Sequence, residues 1–184
     1  MCSGRELGLS EDHSGLLILP DDTPLGTSVR DLFSCDTVID WEVTPNRPDW
    51  LSHIGIAREI CALTGKKLVL PENKVTVKED DAPASVRIDA PEFCPRYIGR
   101  VFEGIKIGPS PAWMKERLEA VGLRSINNVV DITNYIMLEY GQPLHAFDLD
   151  NLEGRQVIVR RAAQGEEITL LDGTKLSLTP ENLL

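Results

Sequence analysis

The chain has 184 residues, 42% hydrophobic and 26% charged, with a formal net charge of −10 at pH 7. This is the composition of a soluble globular protein, long enough for one large domain or two small ones. The acidic balance opposes bulk attraction to phosphate backbones, so a nucleic-acid role requires a local site or a basic partner.

In chain order, residues 1–20 hold one short apolar run, Leu16–Leu19, which reads as a lone strand unable to bury its faces. The stretch "DDTPLGTSVRDLF" is turn chemistry leading into a short element. Residues 36–44, "DTVIDWEVT", alternate as a strand does, and "PNRPDW" breaks it. With Asp49 as N-cap, "WLSHIGIAREICALTG" places Trp50, Ile54, Ala57, Ile60 and Leu63 on one helical face, ending at Gly65. Asn46 or Asp49 reads as a cap, and Arg47 pairs within the chain or faces a partner.

Residues 71–85 are polar, acidic and rich in breakers, which reads as a linker. Beyond it, "SVRIDA" and "RYIGRVFEGIKI" alternate as strands, with Gly99 and Gly104 marking a bulge or a close backbone approach. "SPAWMKERLEAVGL" is a helix with Pro111 near its first turn and Gly122 at its end. "SINNVVDITNYIMLEYG" is a second helix, capped at Ser125 and stopped at Gly141. "QVIVRRA", "EEITLLDG" and "KLSL" are strands, the last two joined by a turn at Asp172-Gly173. The order strand, strand, helix, helix, strand, strand is that of an α+β layer. Both ends of the chain read as cut through an element.

The four cysteines, at 2, 35, 61 and 94, form no C-x-x-C pair, and His13, His53 and His145 lack metal-ligand spacing. Neither a secretory leader nor an apolar run of transmembrane length is present. These features point to a reducing cytoplasm and no membrane, with no cofactor or metal held by this stretch. Nucleotide-binding and nucleophile-elbow motifs are absent.

Two residues carry the chemical interest. Thr133 lies on an apolar helical face with Ile126, Val129, Val130 and Met137, where its hydroxyl needs a partner and the i−4 carbonyl of Val129 is the cheapest. His145 follows the Gly141 stop on a turn stiffened by Pro143. It either bonds a backbone carbonyl or works near neutral pH as a proton shuttle or water orienter. Asp148 and Asp150 read as turn or cap carboxylates in preference to cation ligands. Arg155, Arg160 and Arg161 form a short basic spot on a strand edge.

The strings "DWEVTPNRPDWLSHIGIAREICALTG" and "CPRYIGRVFEGIKIGPSPAWMKERLEAVGLRSINNVVDITNYIMLEYGQPLHAFDLDNLEG" resemble the β subunits of bacterial phenylalanyl-tRNA synthetases. The resemblance runs in order along essentially the whole chain. It implies a division into a remnant of the tRNA-binding OB-like module (1–34), a small helical, winged-helix-like module (35–70), a linker (71–85) and the first half of an α+β editing domain (86–184). It also implies a cytoplasmic (αβ)₂ enzyme whose α subunit holds ATP, Mg²⁺ and phenylalanine, with phenylalanine tRNA as the macromolecular substrate. In that family the editing domain hydrolyses tyrosine mischarged onto this tRNA. Its pocket residues match Arg124, Thr133 and His145, while the acidic group that selects the tyrosine hydroxyl falls beyond Leu184.

Overall fold

The computed structural model describes residues 2–9, 12–33, 37–72, 75, 83–170 and 172–184. Two compact units divide between Asp40 and Trp41. The domain boundary expected at 34/35 and most of the 71–85 linker lie outside the described residues.

In the first unit, Ser3 and Glu6 form a reciprocal box: the Ser3 amide donates to the Glu6 carboxylate (2.8 Å) and the Glu6 amide to Ser3 Oγ (3.3 Å). Buried Ser3 also meets His13 Nδ1 at 3.1 Å. Leu16–Leu19 forms no strand, because a single bond, Leu17 N to Cys2 O, stands where a ladder is needed. These leucines line an open apolar cleft of about 390 Å³ together with Leu7, Val29 and Phe33. Helix α1, Val29–Leu32, is one turn capped by Ser28.

The second unit opens with a 3-10 turn, Pro48–Trp50, and helix α2, His53–Thr64. The expected strand over 36–44 is absent from described residues 37–44. The cap of α2 is Ser52, whose Oγ accepts from Gly55 N, and not Asp49. Asp49 is held by Arg47, which also reaches Glu59 (2.8 Å) and lies over the Trp50 ring. Gly55 has a steric reason to be glycine: a Cβ there would stand 1.6 Å from Asp49 O. Only the N-terminal end of α2 is buried, at Ile54 and Gly55, whereas Leu63 is 78% exposed and Cys61 half-buried.

Strand β1, Ser85–Ile88, pairs in parallel with β2, Gln156–Val159, with Val86 opposite Val157. A parallel pair requires a long crossover, and helices α3, Ala112–Ala120, and α4, Asn128–Tyr140, lie within it. Strands β3, Glu167–Thr169, and β4, Lys175–Ser177, form an antiparallel hairpin, with Gly173 at φ +85° and Asp172 accepting from Thr174 N. The architecture is therefore mixed helix and sheet, α+β as expected, with two small sheets among the described residues. Buried Ala90, Met114, Leu118, Val159, Ala162 and Leu178 supply its core. Full burial of a side chain such as Leu118 contributes about 1.5–3 kcal/mol.

The strands expected in 96–107 do not form. Backbone groups in this region bond to a single residue instead: the Asn128 side chain donates from Nδ2 to Lys106 O and accepts from Gly108 N, and its own amide donates to Gly108 O. Gly99 does make the expected close approach, since a Cβ there would meet Val86 at 3.3 Å. At the far end, Arg160 and Leu184 exchange both backbone bonds. Glu166 accepts from the Arg160 guanidinium and from Ala163 N, and these bonds hold its carboxyl well below the ordinary value, at about 2.

Candidate active site

Helix α4 organises the site. Its N-cap is Asn127, whose side chain accepts from Val129 N and Val130 N. The expected cap, Ser125, is engaged elsewhere: its hydroxyl donates to Asp131 at 2.6 Å. Asp131 is 0% exposed and also accepts from Ser110 Oγ (2.5 Å) and Ile126 N (2.9 Å). Burial works to raise the pKa of this carboxyl. The hydroxyls of Ser110 and Ser125 and the amides of Ile126 and Asn127 outweigh it, leaving the group below its ordinary value. Asp131 therefore remains an anion at neutral pH with every bond satisfied by the chain around it.

Thr133 stands two residues further along α4, half-buried, and its hydroxyl donates to Val130 O at 2.6 Å. The bond runs to the i−3 carbonyl and not, as expected, to Val129. Because the hydrogen is committed to a carbonyl, the free lone pairs of the oxygen remain as acceptors. The helix is less buried than its apolar content suggests. Ile132 is 48% exposed, Ile126 just before the helix is 66% exposed, and Asp131 is the only buried residue within α4.

Gly141 closes α4 in the left-handed conformation, φ +76°, as expected. A Cβ at this position would come within 3.3 Å of Ser52 Cβ and 3.4 Å of Leu51 O, so the helix end sits directly on the entry to α2. His53 Nδ1 lies 3.0 Å from Leu138 O, and because a carbonyl only accepts, the ring is protonated at Nδ1 in this bond. After the turn, Gln142 donates to Pro143 O, and the exposed His145 ring stacks on Phe147 at 5.4 Å and 15°.

Arg124 is exposed, immediately before Ser125. Among the described residues, no hydrogen bond, ion pair or ring contact joins Arg124, Thr133 and His145 to one another. The clefts beside Leu16–Leu19 and beside Glu153–Gln156 are lined by none of the three. The other candidates have structural partners. Asp148 caps the 3-10 turn at Leu149–Asn151, Asp150 pairs with Arg155, Arg161 with Glu92 and Arg160 with Glu166. Among the described residues, no group of three or more His, Cys, Asp or Glu side chains is placed to hold a metal ion. No helix among the described residues is long and apolar enough to cross a membrane.

Residues 93–184, the part that contains α3, α4 and all three candidate side chains, match the family model of the B3/4 domain. The chain belongs to the B3/4 domain family. Along its whole length it is also 56% identical to the phenylalanine–tRNA ligase β subunit of Anaeromyxobacter dehalogenans. It is 52% identical to that of Geobacter sulfurreducens and 50% identical to that of Moorella thermoacetica. The chain spans about a quarter of the length of these curated relatives: 23%, 23% and 24%.

Two features of this B3/4 region are not among the candidates read from the sequence. Asp131 sits inside a helical run, where an acidic residue ordinarily faces solvent. Its signal was the pair of hydroxyl residues at 110 and 125. The second feature is the seam between α3 and α4, where Trp113 and Tyr135 meet edge to face and Arg117 donates to Tyr135 Oη at 2.8 Å. A Trp-x₃-Arg spacing on one helix face was its trace.

Proposed function

We propose that this chain is a segment of a phenylalanine–tRNA ligase β subunit and takes part in forming phenylalanyl-tRNA in the cytoplasm. Its partners in this reading are an α subunit, in an (αβ)₂ assembly, and phenylalanine tRNA. ATP and Mg²⁺ serve the α subunit, and this segment holds neither. Residues 1–34 are the remnant of a tRNA-binding OB-like module, 35–70 a winged-helix-like module, 71–85 a linker and 86–184 half of an editing domain. The observation that carries this reading is identity of 50–56% to such β subunits over the whole length of the chain.

The chemistry assigned to the segment is hydrolysis of tyrosine mischarged onto phenylalanine tRNA. Water attacks the ester carbonyl, the tetrahedral oxyanion forms, and the bond to the ribose oxygen breaks as that oxygen takes a proton. Thr133 suits the water end: with its hydrogen on Val130 O, its oxygen accepts a bond from the water and aims it. His145, exposed and carried on a proline-stiffened turn, moves the proton between the water and the departing oxygen. Arg124, exposed beside the start of α4, offers a guanidinium fork to a phosphate or to developing negative charge. A local cation of this kind is what a chain of net charge −10 needs in order to engage RNA.

A second reading is favoured by the lack of any direct bond among the three residues: a non-catalytic or tRNA-binding segment of the same fold. Substitution of Thr133 and His145 by alanine in the assembled synthetase separates the two. Editing predicts that hydrolysis of tyrosyl-tRNA falls by about 10²-fold or more, the usual scale for a positioned proton carrier. The non-catalytic reading predicts an unchanged rate.

A further inference from the structure

From the geometry around the start of α4 we infer that Asp131 is a positioning residue, holding the Arg124 segment in register with Thr133. The inference rests on the editing reading above. Asp131 is fully buried, so it touches no substrate, yet its two oxygens collect bonds from two separate segments and join them to a third, its own helix. Ser110 comes from the entry to α3, Ser125 and the Ile126 amide from the loop after Arg124, and the carboxylate itself from the first turn of α4. Two residues later on the same helix stands Thr133. One carboxylate thus ties the loop that bears the guanidinium to the helix that bears the hydroxyl.

The neighbours reinforce this division of labour. Asn127 satisfies the helix amides at Val129 and Val130, so Asp131 is not needed as the cap and is free to reach back to the loop. Asn128 fastens the other side, bonding Lys106 and Gly108. Arg124 is the first residue outside this bonded set, with its backbone anchored through Ser125 and its side chain exposed. Such an arrangement fixes where a side chain originates and leaves its tip able to meet a ligand.

The two serines permit a test that a merely structural role does not satisfy. Both donate to Asp131 at nearly equal length, 2.5 Å from Ser110 and 2.6 Å from Ser125, but only Ser125 adjoins Arg124. In the assembled synthetase, Ser125→Ala is expected to lower kcat for tyrosyl-tRNA hydrolysis by about tenfold with KM within about twofold. That is a fraction of the hundredfold which an ångström of misplacement can cost. Ser110→Ala is expected to change kcat by less than about threefold while shifting the unfolding midpoint as much as Ser125→Ala does. In an Arg124→Ala background, Ser125→Ala should have no further effect, because the residue it positions is gone.

Asp131→Asn keeps an acceptor for the Ile126 amide and offers its NH₂ to a serine hydroxyl. It should therefore recover most of the kcat lost in Asp131→Ala. Equal kcat losses from the two serine variants, or a Ser125 effect that multiplies in full with that of Arg124→Ala, overturn the positioning role alone. If Thr133→Ala, His145→Ala and Arg124→Ala all leave hydrolysis unchanged, the editing reading falls, and this inference with it.

Discussion

The two ends of helix α4 are built in opposite ways. Its start is enclosed: Asp131 is buried with every bond filled, Asn127 caps the helix, and Asn128 straps down residues 106–108. Its far end is closed by Gly141 and one bond from His53, after which the chain runs exposed through His145 with a single ring contact to Phe147. Both ends carry a candidate side chain, Arg124 at the first and His145 at the second. The segment that bears Arg124 is therefore preorganised by local polar bonds, and the one that bears His145 depends on turn geometry and one stacking contact. Buried polar networks specify one geometry at high stakes, and exposed turns do not.

The largest test of that contrast is Asp131→Ala. It strips partners from two hydroxyls and the Ile126 amide, each costing about 1–3 kcal/mol when left unpaired. A loss of several kcal/mol in urea unfolding is expected, with hydrogen exchange rising first at Ile126 and Asn127. Gly141→Ala comes next, at about 1–2 kcal/mol, because alanine is strained at φ +76° and its methyl meets Leu51 and Ser52. His53→Ala removes one bond and should cost about 0.5–1.5 kcal/mol, with faster exchange confined to the last turn of α4. Phe147→Ala should stay within about 0.5 kcal/mol of the parent, since the ring is exposed. A Phe147 variant as damaging as the Asp131 variant would erase the contrast.

Acid offers a fifth comparison. The Asp131 carboxyl is held below its ordinary 3.8 in the folded chain, so below that pH the unfolded state takes up the proton more readily. The stability it contributes is fully present above pH 3.8 and is lost as pH falls through the lower folded value. Glu166, held at about 2 by Arg160, follows the same sign between 4.5 and about 2. Acid titration followed by hydrogen exchange should open the start of α4 in step with the loss of the Asp131 charge. Asp131→Asn should flatten that response while leaving the Glu166 response in place.

Sequence reading found these two ends unequally. The Gly141 stop and the span of α4 were legible because an apolar 3.6-residue period followed by glycine has one ordinary meaning. The cap was misplaced by two residues because Ser125 and Asn127 are both good caps. Only the buried Asp131, claiming Ser125, leaves the role to Asn127. The strands expected at 96–107 have the right alternation, but pairing is a property of two segments, and Asn128 took the bonds at 106 and 108. The burial of Asp131 was not legible, since local periodicity cannot reveal a carboxylate whose partners include a serine 21 residues away. Thr133 stood out as a hydroxyl in an apolar stripe, although its bond runs to Val130 and not Val129.

The most direct test of the account is single-turnover hydrolysis of tyrosyl-tRNA by the assembled synthetase carrying His145→Ala or Thr133→Ala. Each substitution is expected to slow ester cleavage by about 10²-fold or more while phenylalanine charging continues at the α subunit. Cleavage at the parent rate in both variants would contradict the account, leaving the hydroxyl and the imidazole as surface features of a scaffold.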